Sequence, residues 1–404
     1  MVGKDLHPQF PILERQVHGR ALAYLDNAAT MQRPDCVLAA MDAFSRSCNA
    51  NVHRGVHTLS QEATDAFESA RDRVRTFVNA KESAEIIWTK GCTESLNLVA
   101  HSWGAANLGP GDEILLSTME HHANIVPWQL AANRVGARVK PIPIDDDCQI
   151  DLGALQRMLS GPVKVVGVKH VCNATGRVNP VAEIARMAHD VGAVAVVDGA
   201  QALAHVQVDV QALGADFYAM SSHKVYGPMG TGALYGRREL LDSMPPFQGG
   251  GDMIRSVSFD GTTFNTIPNR FEPGTPHVDG AIGFSRALDW MVENGVEAIA
   301  CHENELAEAC RKALREIPGV RLVAEGGEKA AVVSFVTEFA HPHDVGTVLD
   351  RHGVAVRTGH HCCMPLMDRL GIPGTVRASF AAYNTDVDLK VLIEGVLATR
   401  GIFA

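Results

Sequence analysis

Two short segments, far apart in the chain, carry residue types suited to chemistry. The first reads Val196-Val-Asp198-Gly-Ala-Gln201 and is followed by Ser221-Ser-His223-Lys224. A lysine amine beside buried, Gly-rich backbone loses its proton more easily and can form an imine with a carbonyl compound. Ser221 and His223, within three residues of that amine, suit phosphate oxygens. Asp198 ends an apolar run, where a buried carboxylate needs a cationic or hydrogen-bonded partner. An N-cap for a following helix is the ordinary alternative for Asp198, and the residues leave both readings open. The second segment reads Arg357-Thr-Gly-His-His-Cys362-Cys363-Met-Pro. It sets a cysteine in a Gly/His loop where neighbouring cations favour a nucleophilic thiolate. Together the segments predict an enzyme that weakens a C–S bond through an imine and takes the sulfur on a thiolate. Which of Cys362 and Cys363 is the nucleophile is not decided by their chemistry alone.

Other candidates follow strand-like runs. Gly91-Cys-Thr93-Glu-Ser-Leu-Asn opens a helix, and a Gly/Thr turn at a helix N-terminus can bind an anion. His121, in Met119-Glu-His-His-Ala-Asn124, could lie on a planar ring and move protons near neutral pH, or simply cap a helix. Arg377, in Thr375-Val-Arg-Ala-Ser379, offers a fork to a carboxylate, although a surface ion pair is the commoner role of an arginine. The adjacent His and Cys residues around Cys362 also permit a metal-binding scaffold, but adjacent ligands do not have the spacing of a structural zinc site.

The elements that position these residues can be read from alternation. Candidate strands are Glu85–Thr89, Glu113–Ser117, Val163–Val168, Ala193–Asp198, Phe217–Ser221 and Gly232–Tyr235, several of them apolar on both faces. With helical patterns between them, such as Leu152–Leu159 and Val181–Asp190, they predict a doubly wound, mainly parallel α/β sheet. Ligands in such sheets bind beyond the carboxyl ends of the strands, where Asp198, Ser221 and the stretch His170–Asn173 fall. A loop-rich stretch runs from Gly249 to Pro276, and one long helical pattern covers Asp279–Arg315. Strands near Ala331–Val336 and Ala355–Arg357, with helices near Asp344–Arg351 and Asp386–Leu397, read as a smaller α+β part.

Composition narrows the class. The 404 residues are 46% hydrophobic and 20% charged, which is ordinary for a globular protein of two domains. The net charge of −10 argues against nucleic-acid binding. No segment has the apolar length of a membrane span, and the first residues do not resemble a signal peptide, so the expected location is cytoplasmic. The nine cysteines (Cys36, Cys48, Cys92, Cys148, Cys172, Cys301, Cys310, Cys362 and Cys363) are odd in number and form no CxxC, so free thiols are expected.

From Tyr24-Leu-Asp-Asn-Ala-Ala-Thr30 nearly to the C-terminus the chain resembles the cysteine desulfurases of the class V aminotransferase group, more narrowly those of the SufS/CsdA type. The resemblance also rests on Val52-His-Arg-Gly-Val-His-Thr-Leu-Ser60, Met119–Trp128, Val197–Gln201, His223-Lys-Val-Tyr-Gly-Pro228, Gly249-Gly-Gly251 and Arg357–Cys362. It implies fold type I of the pyridoxal 5'-phosphate (PLP) enzymes: a mainly parallel seven-stranded sheet between helices in a large domain, residues 21–265. A smaller α+β domain would comprise residues 1–20 and 266–404. It implies that Lys224 carries PLP, that Asp198 pairs with the pyridine nitrogen and Gln201 with the ring oxygen, and that His121 stacks on the ring. Thr93, Ser221 and His223 would hold the phosphate, with Thr275 supplied by the other subunit of a homodimer. Asn173 and Arg377, with Arg357 nearby, would bind the carboxylate of L-cysteine, and His53 and Arg54 would lie at the entrance. Cys362 would receive the sulfur as a persulfide. Its short loop implies limited mobility and sulfur transfer to an acceptor protein of the SufE or SufU kind, for iron–sulfur cluster or other sulfur-cofactor assembly. The sequence departs from the family at Met31, Ser222 and Cys363, where a small polar residue, a glycine and a small residue are usual. A selenocysteine lyase shares the same parts and need not depend on Cys362.

Overall fold

The computed structural model describes residues 2–404. Its centre is a seven-stranded sheet of β1 (Ile86–Thr89), β2 (Glu113–Ser117), β3 (Arg138–Ile142), β4 (Val163–Lys169), β5 (Val194–Asp198), β6 (Phe217–Ser221) and β7 (Gly232–Gly236). The spatial order is β1-β7-β6-β5-β4-β2-β3. Strands β2 to β6 are mutually parallel, and β7 runs antiparallel to both β6 and β1. Every residue of β2, β5, β6 and β7 is buried, because helices cover both faces. This is the sheet expected from the alternation. Its edge strand β3 escaped the sequence because it reads Arg-Val-Lys-Pro-Ile and is mostly half-buried or exposed; an edge tolerates Pro141 and charge where a central strand would not.

A second sheet holds four strands in the order Val320–Leu322, Val332–Thr337, Thr375–Ser379 and Arg357–Gly359, all antiparallel. The last two set Arg377 opposite Arg357. The packing crosses both expected division points. Ala23 and Leu25 pack with Leu306, Phe335 and Leu392, and Ala23–Tyr24 pairs in parallel with Val354–Ala355. Val278–Asn294 instead lies against the helices Asp35–Ser47 and Thr58–Phe77.

Two readings of single elements are corrected. The helical pattern Asp279–Arg315 is two helices, Val278–Asn294 and Val296–Arg315, separated by Gly295 at φ 81°. A positive φ there is available to glycine without a Cβ clash and lets the chain change direction. The loop-rich stretch after Gly249 contains a hairpin, Ile254–Ser258 with Gly261–Phe264. It was not legible because almost all of it is exposed, so it lacks the alternation that a buried face imposes.

Candidate active site

The carboxyl ends of the strands converge on one cavity of about 230 Å³. β5 delivers Asp198, β6 delivers Ser221 and then His223 and Lys224, β4 delivers Lys169 and then Asn173, and the turn after β1 delivers Cys92 and Thr93. His121 comes from the turn after β2, Gln201 from the turn after β5, and Arg377, Arg357 and Cys362 from the second sheet and its loop. The cavity thus lies between the two sheets, and neither builds it alone.

Burial sets the charge states. Lys224 is held below the usual lysine range, mainly by desolvation and despite the pull of Asp198. Asp198 is held low, its burial outweighed by the charge of Lys169, the hydrogen bond from Cys92 and the charge of Lys224. Its Oδ1 accepts from Cys92 Sγ (3.1 Å) and Ala200 N (3.0 Å). His121 is pushed down to about 4, chiefly by burial, and its Nδ1 accepts from Ala123 N at 3.1 Å. The neutral ring therefore carries its proton on Nε2, and the capping role and a role in the cavity coexist. Burial likewise lowers His223 to about 4, and its Nδ1 is buried without a hydrogen-bond partner.

The carboxylate-binding candidates are already partly engaged. Arg377, 1% exposed, gives Nη1 to Asn173 O and Nη2 to Asp26 Oδ1, each at 2.8 Å, while its Nε has no partner. Arg377 is therefore a buried group of the cavity and not a surface ion pair. Arg357 Nη2 lies 3.8 Å from Cys362 Sγ. The cysteine loop is tightly held. His122 N donates to Cys362 O (2.8 Å), Met364 N to His122 Nε2 (3.2 Å) and Asn173 Nδ2 to His361 O (2.8 Å). His361 and Cys362 both have left-handed backbone, at φ 51° and 57°. Cys363, by contrast, is fully buried, and burial pushes its thiol up to about 11.

Three expected site residues lie elsewhere in this chain. His53 Nε2 contacts Glu68 Oε1 at 3.0 Å, and Arg54 pairs with Asp252; neither lines the cavity. Thr275 is exposed and borders a separate depression with Trp88, Lys90 and Glu94. Sequence reasoning missed Lys169, Cys92 and Asp26 as contributors. A lysine closing an apolar parallel strand was the available signal for Lys169. Of the departures, Met31 is buried in the core, and Ser222 is accommodated because Gly227 approaches it: a Cβ at 227 would lie 2.1 Å from Ser222 Oγ. All nine cysteines are free.

The lining fits PLP. A lysine whose pKa desolvation lowers faces the cavity, the Asp198 carboxylate has both of its protein donors on one oxygen, and a buried imidazole nitrogen of His223 lacks a partner. Residues 23–392 match the family described as aminotransferase class-V. The chain is 48% identical over 395 residues to a "Probable cysteine desulfurase" of Xylella fastidiosa (strain 9a5c), covering 98% of this chain and 95% of that protein. It is 47% identical over 388 residues to a "Cysteine desulfurase" of Klebsiella pneumoniae (strain 342), covering 96% and 95% of the two chains. Its fold is similar to the crystal structure of the cysteine desulfurase CsdA from Escherichia coli, with a TM-score of 0.92, 38% identity and coverage of 99% and 98%. Family match, identity and fold agree: the chain belongs to the class-V aminotransferase family.

Proposed function

We propose that this chain is a PLP-dependent cysteine desulfurase, which converts L-cysteine to L-alanine and takes the sulfur on Cys362. The observation that carries the reading is the meeting, in one cavity, of Lys224 and Asp198 from the first sheet with Cys362 from a loop of the second. Lys224 would hold PLP covalently, Asp198 would face its ring nitrogen, and His121 would lie over the ring. Gln201 gives an N–H to Ala28 O (2.6 Å) and has a second for the ring oxygen. Ser221, His223 and Thr93 would take the phosphate. PLP, when bound, draws electrons from the α-carbon of an amino acid.

The remaining chemistry belongs to the protein. Arg377, Arg357 and Asn173 would hold the substrate carboxylate and so aim its side chain at the cysteine loop. Lys224 Nζ, with its basicity trimmed by burial, would accept the α-proton and return one later. Cys362 Sγ attacks the substrate sulfur; an S–S bond forms, the C–S bond breaks, and the carbon left behind is protonated to give alanine. His121 Nε2 carries a proton within the same cavity. Thr275 would join the phosphate site from the other subunit of a homodimer, His53 and Arg54 would lie at the entrance, and an acceptor protein of the SufE or SufU kind would then remove the sulfur.

The test is alanine release from L-cysteine by PLP-loaded wild type and Cys362→Ala, with and without a thiol reductant. The expected result is activity that needs Cys362 and rises with reductant. Undiminished cysteine turnover by the variant would sink the nucleophile assignment, and turnover of selenocysteine alone would favour a selenocysteine lyase.

A further inference from the structure

Lys169 closes β4 and is buried, 1% exposed, yet the reaction as described leaves it without a task. Its Nζ donates to Asn173 Oδ1 (2.8 Å) and to Cys363 Sγ (3.4 Å), so its partners are an amide oxygen and a thiol. Cys363 Sγ in turn donates to the same Asn173 Oδ1 from 3.2 Å. On the other side of the amide, Asn173 Nδ2 donates to His361 O at 2.8 Å. An asparagine amide has two nearly isosteric orientations, distinguished only by what surrounds it. Lysine has donors and no acceptor. Turning the amide over would set its NH2 against the Lys169 ammonium and its oxygen against the His361 carbonyl. Both faces therefore enforce one orientation, and Lys169 and Asn173 both border the cavity.

We infer that Lys169, assisted by Cys363, is a positioning residue that locks the Asn173 amide with its oxygen turned into the protein and its NH2 group available to the substrate carboxylate. The wall beside Arg377 and Arg357 then offers donors only, which selects for a carboxylate-bearing substrate. The same lock ties the backbone of His361, and so the cysteine loop, to β4. This inference rests on the desulfurase reading, because it concerns how that substrate is held.

A double-mutant cycle on the PLP-loaded enzyme tests it, with Lys169→Met, Asn173→Ala and the double variant. The readouts are L-alanine binding, followed by the visible absorbance of the cofactor, and KM against kcat for L-cysteine. Lys169→Met should weaken alanine binding and raise KM about tenfold, the effect of one hydrogen bond to a charged group, with a much smaller change in kcat. The double variant should bind no more weakly than Asn173→Ala alone, because the lysine acts through the amide. Lys169→Gln, whose amide can still donate to Asn173 Oδ1, should recover most of the loss. Additive losses, a Gln variant as impaired as Met, or an effect confined to kcat would overturn the inference. If Lys169→Met does not fold, Cys363→Ala crossed with Asn173→Ala replaces it: a small loss that vanishes in the double variant is expected, and one that persists there overturns the role. A wild type that neither binds alanine nor consumes cysteine would instead bring down the desulfurase reading.

Discussion

Cys92 Sγ donates to Asp198 Oδ1 from 3.1 Å, and Ala200 N donates to the same oxygen from 3.0 Å. Burial, with Asp198 nearby, holds the Cys92 thiol well above its usual range, so it stays protonated and gives its hydrogen. One carboxylate oxygen takes both donors, and the other accepts no hydrogen bond among the described residues. Asp198→Asn preserves shape and can still accept from both donors, but it removes the charge. It should fold with an unchanged melting temperature and lose about 100-fold in kcat, the scale of removing one preorganised electrostatic partner. Steady-state alanine formation beside a thermal melt checks this, and a variant with wild-type kcat would remove Asp198 from its proposed role.

Lys224→Ala should fold and no longer retain PLP through dialysis. The visible absorbance of the dialysed protein decides the matter, and a variant that stays coloured would assign the covalent link elsewhere. Cysteine turnover should fall by at least about 1000-fold, since a covalent anchor and a proton carrier are lost together.

Arg71 and Glu272 form a buried pair that fastens the segment before Thr275 to β1. Arg71 Nη1 and Nη2 meet the two Glu272 oxygens at 2.6 and 2.9 Å, and Glu272 Oε1 also accepts from Trp88 N at 2.7 Å. Removing Glu272 leaves the buried Arg71 with only the partly exposed Glu68, which its Nε meets at 2.9 Å, and takes the acceptor from Trp88 N. Glu272→Ala should lower stability by about 3–5 kcal/mol, measured by chemical denaturation. A loss below about 1 kcal/mol would mean that the existing pair with Glu68 is enough to hold the Arg71 charge.

His170 supplies a pH signature. It is 5% exposed, its Nδ1 lies 2.9 Å from Tyr218 Oη, and burial pushes it down to about 4. Unfolded, it would titrate near pH 6.5. Between those values the unfolded chain binds the extra proton, so the contribution of His170 is fully present above pH 6.5 and is lost as pH falls towards 4. At pH 5 the loss is about 2 kcal/mol. Glu120 works in the opposite sense, since burial raises it to about 7 and its folded form gains a proton on acidification. The informative quantity is therefore a difference: the stability lost by the wild type between pH 7 and 5 should exceed that lost by His170→Asn by about 2 kcal/mol. Equal losses would contradict the lowered pKa.

Much of this architecture was legible in the sequence because parallel strands buried on both faces read as continuous apolar runs. Their last residues then mark the ligand edge, as with Asp198 and Ser221. The strand Arg138–Ile142 and the hairpin Ile254–Phe264 were hidden for the opposite reason: an edge and an exposed ribbon bury no face and impose no pattern. Lys169 went unread, because its partners Asn173 and Cys363 are brought to it by the meeting of two sheets and not by spacing.

The consecutive left-handed residues His361 and Cys362, tied down by His122 and Asn173, have a kinetic meaning. On the proposed reaction, a sulfur atom on such a short tether would not be carried outward on a swinging arm; it would wait where it formed until something arrived to collect it. In steady state the flux would then follow the concentration of the collector, as in a loading dock whose throughput is set by arrivals.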